Sequence, residues 1–592
     1  MKKPIILALV LAASLPINAQ TDLDDFDKFL AEENASFDKF IDEANKEFIS
    51  FLRNPWKKEE AKKPIEKHVV PEPPKPIVFD EKSQPKDKKP VELTIRKILQ
   101  QTTREGKQQP TTAVRPVDKL TFDSPTTQPT STASQPKVEP KKPTASPKQL
   151  QQEPSKPTVS PKQPQQESSK PTVSPKQPQQ ESSKPTTVVP KQPQQETSKP
   201  TVSPKQPQQE TSKPTVSPKQ PTAEPAVRSR LFTASAEKMS INYCEQKLYI
   251  DASLRGVCRL ADTKERTVAD AYEALCLANY KQLISDCRQV RTDFRLNDWG
   301  VILFVKKAAD ALCADANSSI VMQQFLLNEL GYRAKMARRG DGKAMMLFVA
   351  TDCMVYGHPY FVQDGINYYY INGTEASQFY ICQQNSKKAR NNVVMQLTTT
   401  PELTSGIVNR QRTNKAGTVS VSVDVPKSLI DFYASMPQCD YGVYAKAPVE
   451  SNVAEQILGT LRPLVAGKSE LAAANLLLNF VQTGFKYATD DEQFGYEKPF
   501  FVEELFYYPA CDCEDRSVLF AYLVRQLLGL DVVFLDYPNH IATAVAFNDN
   551  VAGDYFTVNG KRYTVCDPTY IGASVGQTMP NFKSVAADIL HY

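Results

Sequence analysis

The sequence predicts an α+β globular half behind a Pro-rich, disordered N-terminal half, and three observations carry that prediction. From about residue 57 to 225, Pro, Lys, Gln, Ser and Thr dominate, and the fourteen-residue repeat between Lys142 and Pro221 has almost no aliphatic residues, so no core is expected there. From 228 to 592, helix-period stretches such as "TVADAYEALCLANYKQLISDCRQV", "AAANLLLNFVQTGF" and "SVLFAYLVRQLLGL" are mixed with strand-like runs. Those runs are "AMMLFVATD", "INYYYING", "GTVSVSVDV", "HIATAVAF" and "KRYTVCDPT", and the mixture is α+β in order. About 365 residues of this kind are enough for two or three domains.

Residues 1–19 open with Lys2-Lys3, continue through an apolar stretch and end on "INA", which predicts a secretory signal peptide cut after Ala19. No cysteine sits at the cut, so no lipoprotein anchor is expected. No later stretch has 18 apolar residues in a row, so no membrane span is expected either. The mature protein is therefore expected to be exported and soluble, periplasmic or extracellular. The net charge of +5 is mild for 592 residues and sits mostly in the lysine-rich region. No basic-aromatic pattern points to nucleic acid.

Residues 20–56 carry three eleven-residue units in register from Asp25: "DFDKFLAEENA", "SFDKFIDEANK" and "EFISFLRNPWK". Phe26, Phe37 and Phe48 share one position; Phe29, Phe40 and Phe51 share another, each followed by Leu30, Ile41 or Leu52. Eleven residues make three turns of a nearly straight helix, so the aromatics form one stripe, ended by Pro55. Such a helix, 25–54, has to dock on something, and its own globular region or a partner protein is expected ahead of self-association. Its acidic polar face argues against an anionic membrane surface.

Residues 57–227 read as a disordered or polyproline-II spacer. A fourteen-residue unit, "KPTVSPKQPQQESS", begins at Lys156 and Lys170, with variants from Lys142 to Pro221. At about 3.1 Å per residue the roughly 80-residue repeat could reach some 250 Å. The globular half then divides into 228–385, a β-rich connector at 386–460, and 461–592.

The chemistry concentrates in "PACDCEDRS", residues 509 to 517, at the mouth of a helix. Cys513 falls in the first helical turn, where the positive helix end and free backbone N–H groups favour a thiolate. Asp512 is placed to cap that helix, and Asp515 completes a capping-box-like pair. Cys511 lies outside the helix and lacks this help. All eleven cysteines lie from Cys244 onward, and the odd count leaves at least one thiol unpaired in a monomer. Their pairing does not follow from the sequence; a disulfide remains open for Cys511.

A cysteine nucleophile needs an imidazole and an acceptor to hold it. Of the four histidines, His68 lies in the spacer and His591 near the end; His358 and His540 are in globular sequence. His540 opens the strand "HIATAVAF", and Asp567 ends the next strand pattern in "YTVCDPTY". Cys511, Cys513, His540 and Cys566 also suit Zn²⁺ by residue type. However, C-x-C is tighter than the usual spacing, and Cys566 points away from the strand face that carries Asp567. No metal or other cofactor is therefore expected.

The ordered set "CEDRSVLFAYLVRQLLGL", then His540, then "DPT" resembles the transglutaminase-like superfamily of papain-like thiol enzymes, as does the lead-in "LLLNFVQTGFKYATDDEQFGYEKPFFVEEL". The resemblance covers roughly 465 to 580. It implies Cys513 as nucleophile, His540 as base and Asp567 as its orienter. Two departures are Ile541, where many members carry an aromatic shortly after the histidine, and the short interval from Gly529 to His540.

An echo lies upstream. "DGINYYYINGTE" aligns without gaps to "NGKRYTVCDPTY", pairing Gly365 with Gly560, Tyr368 with Tyr563 and Asn372 with Asp567. "ANSSIVMQQFLLNELGYRA" resembles the Cys513 helix, with Ala316 or Asn317 at the thiol position and Ala344 to Met346 where His540 stands. Residues 228–385 are thus expected to form a degenerate copy lacking all three catalytic residues.

The expected function is an exported cysteine-dependent amide-bond enzyme, a peptidase/amidase or acyl transferase, acting on a protein or peptide through a thioester. Hydrolysis is the default. The alternative is a non-catalytic adaptor in a cell-envelope assembly.

Overall fold

The computed structural model describes residues 42–65, 77–80, 90–100, 230–372 and 376–592, all in one compact unit. The signal peptide, the first two eleven-residue units up to Ile41, and the fourteen-residue repeats lie outside the described residues.

The protein is α+β. At its N-terminal side a helix spans 42–52, followed by strands β1 (Lys57–Glu60) and β2 (Ile95–Gln100). The hairpin β3 (Lys238–Tyr243) and β4 (Gln246–Asp251) leads into helices Glu265–Leu277, Lys281–Asp293, Asp298–Leu312 and Ala316–Glu329. A sheet follows from β5 (Ala334–Arg339), β6 (Met345–Ala350), β7 (Tyr360–Gln363), β8 (Ile366–Asn372) and β9 (Gln378–Ile381). The connector is the hairpin β10 (Ile407–Thr413) and β11 (Ser420–Pro426) with helices Lys427–Ser435, Tyr441–Ala445 and Ser451–Val465.

The last part begins with helix Glu470–Gly484, which runs into the short parallel pair β12 (Lys486–Tyr487) and β13 (Ala510–Cys511). The short helices Asp490–Gln493 and Val502–Tyr507 lie between those two strands. Helix Cys513–Leu528 then precedes β14 (Asp531–Tyr537), β15 (His540–Ala546), β16 (Tyr555–Val558), β17 (Lys561–Cys566) and β18 (Ala587–His591).

The two large sheets share one strand order: β1-β9-β5-β6-β8-β7 and β2-β18-β14-β15-β17-β16. Each follows a helix, and in each the outer hairpin turns on two residues with positive φ. These are Asp364-Gly365 (52° and 75°) and Asn559-Gly560 (51° and 78°), the turn that matches the twist of a two-residue hairpin. In the first hairpin Ala334 pairs with Val349, and in the second Asp531 pairs with Ala546, at the same spacing. The sheets differ at one edge: β1 runs antiparallel to β9, whereas β2 runs parallel to β18.

Three boundaries differ from expectation. Residues 57–60 and 95–100 are strands that complete the two sheets, so the non-globular region does not begin at 57; an unpaired edge strand offers free backbone groups, and this stretch fills both edges. The connector is more helical than β-rich, because "KSLIDFYAS" places Leu429, Ile430, Phe432 and Tyr433 on one buried helical face. The helical run from Thr267 breaks at Ala278–Tyr280 into two helices.

Where it is described, the Phe-striped helix packs on its own chain. Phe48 and Leu52 are buried, and the Phe48 ring meets Tyr272 edge-on at 5.3 Å. Trp56 is buried too, and Arg53 pairs with Asp270 and Glu273. Residues 48 and 52 are thus not available to a separate partner, because they belong to this chain's core. No helix among the described residues is long and apolar enough to cross a membrane.

Candidate active site

Helix Cys513–Leu528 begins at the thiol because the chain before it is pinned. The Asp515 carboxylate accepts from the Asp512 backbone N–H at 3.3 Å and from the Phe500 N–H at 2.8 Å, closing the capping geometry. Arg516, fully buried, donates to the carbonyls of Phe485 (2.9 Å) and Gln482 (3.4 Å) and lies over the Tyr487 ring. Gly529, at φ 67°, ends the helix in the left-handed conformation.

β15 is buried along its whole length and carries two faces. Ile541 and Val545 face the helix-side core; Ala542, Ala544 and Ala546 face a second core with Val565 and Phe582. His540 starts this strand after a tight Pro538-Asn539 turn, with Asn539 at φ 73°. The Ser517 hydroxyl donates to the Ile541 carbonyl at 3.2 Å and ties the strand to the thiol's helix.

His540 Nε2 lies 2.9 Å from Asp567 Oδ2, both groups buried. A carboxylate accepts, so Nε2 carries the hydrogen and Nδ1 presents a lone pair. Nδ1 is buried and has no hydrogen-bond partner. The ring is stacked on Phe582 at 5.0 Å, which fixes its plane. Asp567 is held in turn: Oδ1 accepts from the N–H groups of Thr569 (2.9 Å) and Tyr570 (3.2 Å). The Gln482 amide donates to the Asp567 and Ala573 carbonyls and accepts from the Gly572 N–H.

Cys513 and His540 line one cavity of about 650 Å³. Its other walls come from Tyr356 and His358, in the loop before β7, and from Tyr441 in the connector. His358 Nδ1 donates to the Tyr370 carbonyl at 2.9 Å. The cavity is therefore assembled from the first sheet, the connector and the second sheet together. No family model, curated protein or solved structure matches this chain.

The thiol's electrostatics run against the simple helix-dipole expectation. Cys513 is 8 % exposed and its Sγ donates to Glu514 Oε2 at 3.3 Å. Burial, and then the Glu514 charge, push its pKa well above the usual thiol value, opposed by the Ile541 backbone N–H. Around it stand further carboxyls, all buried except Glu497. Asp490, Asp512 and Asp515 bring ligand oxygens within 4.8 Å of one another, as do Asp490, Glu497 and Glu514. Burial, with Asp515 and Glu514 nearby, raises Asp490 to about 10. Asp490 Oδ1, Asp512 Oδ1 and Glu514 Oε1 have no hydrogen-bond partner. Lys498, the nearby cation, is spent on Glu504. By donor chemistry these oxygens suit a hard divalent cation.

The Cys/His grouping weighed for zinc does not form among the described residues, where the metal-competent groups are all carboxylates. Cys566 turns its Sγ toward the Thr564 carbonyl in the helix-side core, and Cys511 turns toward the Lys486 carbonyl. None of the cysteines is bonded in a disulfide, Cys511 included. Sequence reasoning missed Gln482, Phe582, Glu514 and Asp490. Each sits far from the triad in sequence or reads as ordinary helix surface; only the pattern of three acids after Cys511 gave a signal.

In the first sheet the corresponding helix starts at Ala316 after Asp315, whose side chain accepts from the Ser318 N–H. Lys343, in the turn before β6, follows Ala316 by the same number of residues that separates His540 from Cys513. The register thus puts Lys343, rather than Ala344 to Met346, opposite the His540 position. Asn372 donates to Gln323 at 3.1 Å.

Proposed function

We propose that this protein is a cysteine-dependent amide-bond enzyme of the transglutaminase-like kind, exported to the periplasm or outside the cell. The observation that carries this reading is the His540–Asp567 pair, with His540 Nδ1 left unpartnered beside the cavity that Cys513 lines. In the reaction, Nδ1 takes the Cys513 proton and the sulfur attacks the amide carbonyl carbon. The C–N bond breaks as the imidazolium returns that proton to the departing amine, which leaves a thioester. A water, deprotonated by the same nitrogen, attacks the thioester and releases the acid and the thiol. The Asp567 carboxylate holds the tautomer and stabilises the imidazolium. The Cys513 backbone N–H serves as one oxyanion donor.

The common strand order supports reading the first sheet and its helix as a second copy of the same unit, with Ala316 and Lys343 in place of thiol and imidazole. In this reading, that copy contributes a wall to the cavity rather than chemistry.

The test is iodoacetamide labelling at near-neutral pH, followed by peptide mass mapping. Cys513 should react ahead of the other ten cysteines, and His540→Ala should slow it by about 10²-fold. Equal slow labelling in both proteins would sink the enzyme reading. A second reading, a non-catalytic adaptor, is favoured by one observation: the thiol is buried and hydrogen-bonded to Glu514.

A further inference from the structure

Residues 57–80 look like linker in composition, yet their described parts touch two separate elements of the thiol site. The first is the cavity wall. After β1, Lys62 forms an antiparallel bridge with Tyr360, its N–H donating to the Tyr360 carbonyl at 2.7 Å. Three residues on, the Ile65 carbonyl accepts from the Gly357 N–H at 3.0 Å. Tyr356, Gly357 and His358 form the wall that the first sheet gives to the cavity.

The second element is the turn that carries Asp567. Val78 forms a parallel bridge with Ile571. The Phe79 N–H donates to the Ile571 carbonyl at 2.8 Å, and the Ile571 N–H donates to the Ile77 carbonyl at 3.0 Å. The Phe79 ring meets the Tyr570 ring edge-on at 5.6 Å, and both Ile77 and Phe79 pack on the second core. Tyr570 is 2 % exposed, and its own N–H donates to Asp567 Oδ1. A continuous line of contacts therefore runs Phe79–Tyr570–Asp567–His540.

We propose that this N-terminal arm is a positioning element of the thiol site, setting the Asp567 turn through Phe79 and the opposite wall through Ile65. The inference rests on the catalytic reading only for its kinetic consequence; the arm's effect on His540 stands apart from it. The physical case is that a turn following a strand has few contacts of its own. The Asp567–Ile571 turn is held from outside by Gln482 on one side and by the arm on the other. Removing the Phe79 ring opens a gap beside Tyr570, and the carboxylate that orients His540 moves with the turn. Small displacements of this kind cost a catalytic group its alignment.

Four histidines in the whole chain make the test clean. Protein labelled with ¹⁵N-histidine reports His540 directly, and p-nitrophenyl acetate reports acylation of the thiol. Phe79→Ala should displace the His540 resonance, leave His591 unmoved and slow acylation about tenfold. Phe79→Leu should restore the rate to within about threefold. Val78→Ala serves as control: it keeps the same backbone bridge, its side chain is 67 % exposed, and it should change neither readout. A Phe79→Ala protein with a wild-type His540 resonance and acylation rate overturns the proposal. If that variant does not fold, Ile77→Ala decides, and an undisplaced His540 resonance in it overturns the proposal. A wild-type Cys513 that never acylates overturns the enzyme reading instead, while the His540 resonance still tests the arm.

Discussion

The Cys513 thiol donates to the carboxylate of its neighbour Glu514, 3.3 Å away. The thiol's proton is thereby held by an anion, and that anion also disfavours the thiolate. Replacing Glu514 with Gln removes the charge but keeps the volume. The expected outcome is faster alkylation of Cys513 by iodoacetamide at pH 7.5, by about tenfold for each unit of pKa released. An unchanged rate would show that burial alone holds the thiol neutral.

The crowd of carboxyl oxygens near the thiol predicts a response to hard divalent cations. Millimolar calcium should raise the thermal midpoint, and a chelator should reverse the rise, because binding to the folded state alone stabilises it. Asp490→Asn, at the residue shared by both oxygen groups, should abolish the response. A cation effect that survives this substitution would place the ion elsewhere.

Glu503 offers a cleaner pH prediction. It is fully buried, accepts from the Glu450 N–H, and has Tyr433, Glu504 and Glu450 around it. Burial raises its pKa to about 7 from the ordinary glutamate value of 4.5. The folded state therefore holds this proton more tightly than the unfolded one. Its contribution to stability is complete below about pH 4.5 and is lost as pH rises to about 7. Unfolding midpoints in denaturant should fall across that window, and Glu503→Gln should flatten the slope.

Two pairs of thiols lie close enough for one to raise the other's pKa, Cys313 that of Cys258 and Cys439 that of Cys353. An oxidising compartment should close both. Oxidised dithiothreitol should remove two hydrogens per pair by intact mass, and each crosslink should stabilise the fold by up to about 4 kcal/mol. Peptide mapping that finds Cys511 or Cys513 crosslinked would contradict the arrangement, since neither sits against a partner thiol.

Much of the site was legible because its residues sit at element boundaries. A cysteine before an uninterrupted apolar helix, a histidine opening an apolar strand and an aspartate before Pro-Thr each mark a place where a chain enters or leaves regular structure. The His540–Asp567 contact follows from the pairing of β15 with β17. The positive-φ turns at Asp364-Gly365 and Asn559-Gly560 were equally legible, since Asp-Gly and Asn-Gly favour that backbone. The thiol's electrostatics were not. A helix start predicts a favoured thiolate only when it faces solvent, and Cys513 is buried among carboxyls that come from 23 residues upstream as well as from its own turn.

By itself the sequence determined the α+β class of the globular half, the helix–hairpin order around Cys513, and the eleven-residue aromatic stripe. All of these follow from local periodicity and turn chemistry. Tertiary structure decided what such patterns do not encode. It turned the stripe's last unit inward onto Tyr272 and made sheet edges out of KKEE at 57–60 and IRKILQ at 95–100, two segments set in otherwise Pro- and Lys-rich chain. It also brought Asp490 against Glu514 beside the Cys513 thiol. Each of these is a contact between residues remote in sequence, and its sign depends on burial, which only the folded chain defines.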